Sequence, residues 1–421
     1  MRTTLLSLLH AGQPILYEAI FGHLEARDAL HLLSTCRQIR EIKNCLFNVD
    51  TQLRRFFDKP LRFRQAMATH KLVVGGSVAL KLFSRATWTP GDLDVYTRST
   101  RAVLGLSKLL RLEGYVFEPY SWHSVTVEAS IANIGTLKER LTRINQRIPE
   151  DNETEAEDLE KVYKSKDIRD VYRFRNPSTN ARVEVILTIG LEISAILDGY
   201  YSTYIMNFFT YKKAYCLFPY HTITLQQGFR TTPSFNSEKI SNALDKYHDR
   251  GYLLSEYGAF HMCKLSCPMR PHRRIGDRFT WTIEFPTDDI LAPDDIEMPI
   301  EANTFGLRLH SSFMYANEAR DFEAKDFVYV AVFSYDHKLL KHEILVDSRL
   351  DSWRHFLMEM LEKVEKQRLQ YYVADPLLQE QTTLVGRDQP LDAEVIKYYN
   401  FWYDCIMPGE FLWRGQYPML Q

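Results

Sequence analysis

The sequence predicts an α+β protein built around a mixed β-sheet, and three short segments carry that prediction. At residues 73–83 a β-branched strand ends in two glycines and opens directly into an apolar helix. A second strand, 92–96, alternates two aspartates with apolar residues, and a third, 182–188, is almost continuously apolar. Helical patterns precede these strands and alternate with further strands after them. We therefore expect a small helical N-terminal region, a central mixed sheet with helices and a C-terminal α+β region, bounded at 1–60, 61–230 and 231–421.

Size, charge and cysteine usage narrow the class of protein. A chain of 421 residues allows two or three domains. Its formal net charge of −2 gives no global electrostatic drive toward nucleic acids or anionic membranes. The six cysteines are scattered without the spacing of a disulfide framework, which predicts an intracellular protein, cytoplasmic or nuclear. No apolar run reaches the ~18 residues of a membrane span, and Leu5–Leu9 is too short for a secretion signal.

Two amphipathic helices are predicted within the first 45 residues. Pro14 stands where a first helical turn tolerates a missing N–H, and Asp28 can cap the second helix. The apolar residues of the first helix recur at helical spacing: Ile15, Leu16, Ala19, Ile20 and Leu24.

This N-terminal pattern resembles the F-box, a small helical motif that docks onto a Skp1-type adaptor. The resemblance covers residues 12–45 and departs from the family at Gln13 and Ile39. It implies that one set of residues binds such a partner: Pro14, Ile15, Leu16, Ile20 and Leu24. An ordinary helical hairpin that covers the next domain is the alternative.

The glycine turn of the first strand has the features of a phosphate-binding site. Gly75 and Gly76 let the backbone approach a ligand without an intervening Cβ, and the free amides of the new helix favour an anion. Ser77 can cap the helix or bond a phosphate oxygen. Lys81 follows on the same helix, either near that phosphate or with its stem covering apolar surface. We expect these four residues to bind a nucleotide.

Three acidic residues on two strands predict a metal site. Asp92 and Asp94 are two apart on a strand, so their side chains share one face while Leu93 faces the core. Two neighbouring carboxylates repel unless a cation lies between them, and hard oxygen ligands suit Mg²⁺. Glu184 interrupts the apolar strand 182–188 and requires a partner if it is buried. It is either a third metal ligand or an edge residue that faces water.

In this order the Gly-Gly-Ser turn, the Asp-x-Asp strand and the later acid resemble the signature of the nucleotidyltransferase superfamily. A large set of fungal proteins that join an F-box-like start to such a domain shares further segments, so that the resemblance covers residues 12–285. Those segments are Trp88–Tyr96, Leu112–Phe117, Thr203–Phe208, Ala214–Pro219 and Lys246–Tyr252. The departure is a longer spacer between Ser77 and Asp92. The third acid is absent from many relatives, so Glu184 favours catalytic competence.

Two functions follow from these resemblances. The first is an enzyme in which Asp92 and Asp94 hold Mg²⁺, Glu184 is either the third ligand or the base toward the acceptor, and a nucleoside monophosphate is transferred from NTP. The acceptor would be a hydroxyl of RNA, protein or a small molecule. The second is a non-catalytic adaptor that docks a Skp1-type partner through its N-terminal helices.

Further along the chain, the sequence gives structural expectations and weaker functional ones. Charges crowd residues 143–169, which predicts a solvated insertion. The basic residues Arg270, His272, Arg273 and Arg274 either touch the phosphates of a nucleotide or an RNA backbone, or are solvated at the surface or paired with Asp277. Predicted regular elements include a basic helix from Thr51 to about His70 and, later in the chain, the strands Leu217–Thr224, Trp281–Phe285, Phe327–Ser334 and His342–Val346 and the helix Asp351–Gln370.

Overall fold

The computed structural model describes residues 21–40, 42–134, 167–231, 238–255, 272–291, 299–310, 327–348, 350–374 and 390–405. The chain divides into two compact units. Unit 1 comprises Met1–Phe260, Arg278–Asp294 and Leu309–Val328, and unit 2 comprises His261–Asp277, Asp295–Arg308 and Tyr329–Gln421. Unit 1 thus includes both the predicted segment 1–60 and the predicted segment 61–230. No helix among these described residues is long and apolar enough to cross a membrane.

The regular elements of unit 1 are helices α1 to α10 and most of the strands. Its helices are α1 Ala26–Thr35, α2 Arg37–Arg40, α3 Lys43–Leu46, α4 Val49–Leu53, α5 Pro60–His70, α6 Gly76–Ser84, α7 Thr100–Leu112, α8 Val127–Ala132, α9 Glu192–Gly199 and α10 Glu238–His248. Its first strands are β1 Val73–Gly75, β2 Asp92–Thr97, β3 Val116–Glu118, β4 Ile168–Arg175 and β5 Arg182–Thr188. They are followed by β6 Asn207–Phe209, β7 Lys213–Cys216, β8 Gln227–Gly228, β9 Leu253–Leu254 and β11 Trp281–Glu284. Short 3-10 and π turns lie at Thr203–Ile205 and Tyr220–Leu225.

Eight of these strands form one mixed sheet, in the order β11-β7-β6-β1-β2-β5-β4-β3. β2 and β5 are parallel, and the other neighbouring strands are antiparallel. The predicted α+β class and the mixed central sheet are therefore confirmed. Parallel pairing places the acidic strand β2 beside the strand that carries Glu184, at the centre of the sheet.

The N-terminal helices of unit 1 share a core with the sheet. Ala29 and Leu33 of α1 pack in one apolar cluster with Val78 and Leu82 of α6. Arg85, at the end of α6, donates to the backbone carbonyls of Phe21, Leu24 and Leu46. The predicted partner-binding residues Pro14, Ile15, Leu16 and Ile20 lie outside the described residues, as does most of the acidic segment.

Unit 2 has its own apolar core, in which helices α11 Asp351–Ala374 and α12 Asp392–Cys405 contribute Trp353, Leu357 and Trp402. The other elements of unit 2 are strands β10 Arg273–Arg274, β12 Thr304–Phe305, β15 Val332–Tyr335 and β16 Ile344–Asp347, and a 3-10 turn at Ile300–Ala302. Strands β13 Leu307–His310 and β14 Phe327–Val330 each include residues of both units. β10 pairs with β12, and β15 pairs with β16.

Three element predictions differ from the structure, and in two of them proline is the physical reason. The predicted helix from Thr51 to His70 is two helices, because Pro60 starts α5 at a position that needs no N–H donor. No strand forms over the predicted range Leu217–Thr224: β7 ends at Cys216, Pro219 cannot donate to a β-ladder, and a π turn spans Tyr220–Leu225. The strand predicted over 327–334 is divided at Ala331 into β14 and β15.

Candidate functional site

Five residues stand side by side across one end of the sheet, each in direct register with the next: Gly75 on β1, Asp94 on β2, Glu184 on β5, Arg173 on β4 and Glu118 on β3. We call this set the acid row. Because residues in direct register point to the same face of a sheet, their side chains share one face. Leu93 and Val95 of β2 are buried in the core on the opposite face. Two carboxylates therefore stand next to each other on neighbouring strands.

The three predicted metal-site acids lie on this face at different depths. Asp94 is 6 % exposed, whereas Asp92 and Glu184 are half-buried. Asp92 is two residues from Asp94 on β2 and stands in register with Arg182, not with an acid. The donors are all carboxylate oxygens, the kind that Mg²⁺ prefers. Among the described residues, no group of three or more Asp, Glu, His or Cys side chains is placed so that it could hold a metal ion.

The glycine turn packs directly against the buried aspartate. Gly76 has a φ of 70°, in the left-handed region, and a Cβ at this position would overlap the Oδ2 atom of Asp94. At Gly75 a Cβ would lie 2.7 Å from the Tyr200 hydroxyl. Glycine is required at both positions because a second structural element occupies the space that a side chain would take. The Asp94 carboxylate consequently lies at the start of α6.

Ser77 and Lys81 follow on α6, one turn apart. Ser77 is 4 % exposed, and its Oγ atom has no hydrogen-bond partner among the described residues. A buried hydroxyl without a partner costs free energy, so a ligand oxygen at this position would stabilise it. Burial lowers the pKa of the Lys81 ammonium, and the nearby charges of Arg55 and Arg250 lower it further. Lys81 is thus one of three cations gathered beside α6.

A pair of tyrosines forms the wall behind Asp94. The Tyr96 and Tyr200 hydroxyl oxygens are 2.9 Å apart in a hydrogen bond, and both rings are buried. Burial raises the pKa of Tyr96 well above its usual range, and the charge of Asp94 raises it further. Tyr96 therefore stays protonated and serves as a fixed dipole beside the acids.

Arg250 stacks on the aromatic residues near the acids. Its guanidinium carbon lies 4.0 Å from the ring centre of Trp88 and 5.0 Å from that of Tyr247. Burial raises the pKa of the Tyr247 hydroxyl, the Arg250 charge opposes that rise, and Asp92 and Asp94 add to it. Tyr247 therefore lies close enough to Asp92 and Asp94 for their charges to affect the pKa of its hydroxyl. Cation–π stacking fixes the Arg250 guanidinium next to the site.

Several residues of this site were not predicted from the sequence. The sequence could have indicated Arg182, because this residue is two positions from Glu184 on the same strand and therefore lies on the same face of the sheet. Arg173 and Tyr200 gave no local signal, since register and tertiary packing alone bring them to the acids. Arg250 lies in the segment Lys246–Tyr252, and the resemblance of that segment to the fungal proteins implies no role for this residue.

Two other predicted sites have structural roles in the described residues. Leu24 is half-buried and packs against the core, and its carbonyl accepts a hydrogen bond from Arg85 at 2.9 Å. In the basic cluster of unit 2, Arg273 is 1 % exposed and its Nε atom lies 2.6 Å from Asp277. Pairing with Asp277 is thus confirmed for Arg273, whereas His272 contacts Asp347, Arg274 lies 3.9 Å from Glu301 and Arg270 lies outside the described residues.

In unit 2 the carboxylate of Asp347 is fully enclosed. The Nη2 atom of Arg308 donates to one of its oxygens, and the Nδ1 atom of His272 lies 2.8 Å from the other. A Cβ at Gly306 would overlap the second oxygen. This carboxylate has two basic partners from its own unit.

Comparisons of the chain with protein-family models, with curated proteins and with solved structures returned no match. The assignment of the candidate site therefore depends on its geometry alone.

Proposed function

We propose that this protein is a metal-dependent nucleotidyltransferase, which transfers a nucleoside monophosphate from a nucleoside triphosphate to an acceptor hydroxyl. The observation that supports the proposal most directly is the register of the acid row, in which Gly75, Asp94 and Glu184 are neighbours on three adjacent strands. A glycine turn that opens a helix, set against a pair of carboxylates, brings an anion-binding element and a cation-binding element together.

Different residues of the chain would bind the phosphate oxygens, the charge and the metal ion of a nucleoside triphosphate. The Ser77 hydroxyl and the first amides of α6 would bind phosphate oxygens. Lys81 and Arg250 supply positive charge beside that helix, where it offsets the charge of the phosphates. Asp92 and Asp94 would hold Mg²⁺, with Glu184 either as the third ligand or as the base toward the acceptor. When bound, Mg²⁺ supplies neutralisation of the triphosphate charge.

The transfer step has a simple balance. The acceptor oxygen forms a bond to the α-phosphorus, the bond from that phosphorus to the β-phosphate bridging oxygen breaks, and pyrophosphate leaves. The proton of the acceptor hydroxyl passes to a carboxylate, for which Glu184 is the candidate because it is half-buried and stands next to Asp94.

The direct test is calorimetric binding of ATP, GTP, CTP and UTP to the full chain, with Mg²⁺ and with a chelator. We expect at least one nucleotide to bind only with Mg²⁺, and Asp94→Asn to weaken that binding by at least about tenfold. Asp58→Asn is the matched control, because Asp58 is an exposed aspartate of unit 1 outside the acid row. Binding by Asp94→Asn as tight as by the parent would remove the site assignment. Transfer of label from the bound nucleotide onto candidate acceptors then tests turnover.

Docking of a Skp1-type partner through Pro14, Ile15, Leu16, Ile20 and Leu24 stays a prediction from the sequence.

A further inference from the structure

A concavity of about 360 Å³ opens beside the acids on the same end of the sheet. Its charged lining comes from four adjacent strands: Asp92, Glu184, Arg182, Arg173 and Glu118. Tyr120 forms an aromatic wall. A volume of this size is at the lower end of the range for small-molecule sites, and it is too small for a macromolecule to enter bodily. The concavity lies beside the acids and not at the α6 start, so it is distinct from the proposed phosphate position.

Two opposite charges in this concavity stand side by side without pairing. Asp92 and Arg182 are direct register neighbours on β2 and β5. Neither side chain has a hydrogen bond or ion pair to another residue in the described part of the chain. Arg182 is exposed, so its guanidinium remains available to a ligand oxyanion, while Asp92 remains available to a cation or a hydroxyl.

A second guanidinium is held in place on the other side. The Cζ atom of Arg173 lies 3.7 Å from the ring centre of Tyr120, and its Nε is buried without a hydrogen-bond partner among the described residues. A buried donor of this kind is costly unless a ligand or water accepts from it. By contrast, Arg175, the register neighbour of Arg182, is already paired with Glu118 at 2.8 Å. Arg173 and Arg182 are thus the cations that the concavity offers.

The Tyr120 wall is itself rigidly supported. Its ring stacks on Trp122 with centres 4.5 Å apart, and its backbone N–H donates to His123 Nδ1 at 3.3 Å. His123 Nε2 in turn lies 3.0 Å from the buried Asp170. A loop fixed by these contacts keeps the ring, and with it the Arg173 guanidinium, in one position before any ligand arrives.

We infer that this concavity binds the acceptor of the transfer, and that the acceptor is a small polyhydroxy compound carrying an oxyanion group, phosphate or carboxylate. Arg182 and Arg173 bind the oxyanion, and a hydroxyl of the compound lies beside Asp92 and Glu184. This inference rests on the proposed function, because it identifies the substrate that the nucleotide would modify. Two guanidiniums set next to carboxylates suit a molecule that is anionic at one end and has hydroxyls at the other.

The test is calorimetric titration of the full chain, without nucleotide, with ribose 5-phosphate, gluconate and ribose. We expect ribose 5-phosphate or gluconate to bind and ribose, which lacks the anion, not to bind. The tighter of the two identifies the anion as phosphate or carboxylate. Arg182→Gln should weaken binding by at least about tenfold, which is the loss of a charge-assisted bidentate contact. Arg62→Gln is the matched control, since Arg62 is an exposed arginine on α5 outside the concavity.

Three results would overturn the inference. Equal binding by Arg182→Gln and the parent would show that the concavity does not select the anion. If ribose bound as tightly as ribose 5-phosphate and gluconate, this would also show that the concavity does not select the anion. Inorganic phosphate binding as tightly as ribose 5-phosphate would indicate an adventitious ion only. A parallel titration with ATP and Mg²⁺ separates the two proposals: nucleotide binding without acceptor binding defeats this inference alone, and acceptor binding without nucleotide binding defeats the proposed function.

Discussion

Two buried aspartates of this protein lie against a glycine that has no room for a side chain, yet their surroundings are opposite. Asp347 of unit 2, against Gly306, has Arg308 on one oxygen and His272 on the other. Asp94 of unit 1, against Gly76, has the carboxylate Glu184 as its neighbour on the next strand. The same backbone device thus holds a carboxylate among basic groups in one unit and beside a second acid in the other.

The difference separates a carboxylate held between two basic groups from one that stands beside a second acid. A buried charge must be compensated, and Asp347 is compensated by the chain itself. Two adjacent acids repel each other when both are ionised, so a bound cation or a proton stabilises such a pair. The predictions below test this contrast, beginning with the largest expected effect.

Replacing Gly76 should damage unit 1 most. We expect Gly76→Ala to cost about 5 kcal/mol of unfolding free energy and to abolish nucleotide binding, because alanine is strained at a φ of 70° and its Cβ overlaps Asp94. Gly91→Ala is the control, since Gly91 precedes Asp92 and has no atom within 4 Å of its would-be Cβ. Urea denaturation with calorimetry measures both effects. Equal stability of the two variants would contradict the prediction.

Removing the structural carboxylate should affect only its own unit. Asp347→Ala leaves Arg308, which is 5 % exposed, without its partner, at a cost of about 4 kcal/mol. Peptide-resolved hydrogen exchange should show loss of protection in unit 2. The double variant Asp347→Leu with Arg308→Met should recover most of the loss, because the buried guanidinium is removed together with its carboxylate. A double variant as unstable as the single one would show that the ion pair is not the cause.

Lowering the pH should decrease the unfolding free energy of unit 1, because the buried His221 is harder to protonate in the folded state than in the unfolded chain. Burial lowers the pKa of His221 from its ordinary 6.5 to about 4. The unfolded chain therefore binds the proton first, and the stability that is complete above pH 6.5 declines by about 3 kcal/mol as the pH falls toward 4. His221→Gln should flatten this decline, and His248→Gln, at an exposed position on α10, should not. Unfolding curves measured between pH 6.5 and pH 4 test this prediction. The same decline in stability for the parent and for His221→Gln would refute it.

The smallest effect is expected at Asp92 and depends on metal. Without Mg²⁺, Asp92→Asn should change the unfolding free energy by less than about 1 kcal/mol, because the half-buried carboxylate has no partner among the described residues. With Mg²⁺ the parent should gain thermal stability and the variant should gain less, since a ligand stabilises the state that binds it. Thermal melts with and without Mg²⁺ measure the difference. An identical Mg²⁺ response in both proteins would count against the metal site.

The sequence predicted the parts of the site that depend on local spacing. Strand periodicity places Asp92 and Asp94 on one face, and the glycines at 75 and 76 mark a close backbone approach. Sequence spacing did not indicate that Asp94 itself would fill the space at the α6 start, because that follows from the pairing of β1 with β2. Likewise Arg173 stands beside Glu184 because of the antiparallel register of β4 and β5, which no local pattern encodes.

The position of Arg85 has a practical consequence for anyone who shortens this protein. Its guanidinium ends the helix that begins at the glycine turn and holds three carbonyls of the N-terminal helical region. Expression starting near residue 61 would remove all three acceptors and uncover the apolar residues of α6, including Val78 and Leu82. The first helices must therefore be retained if the acid row is to be studied in a truncated chain.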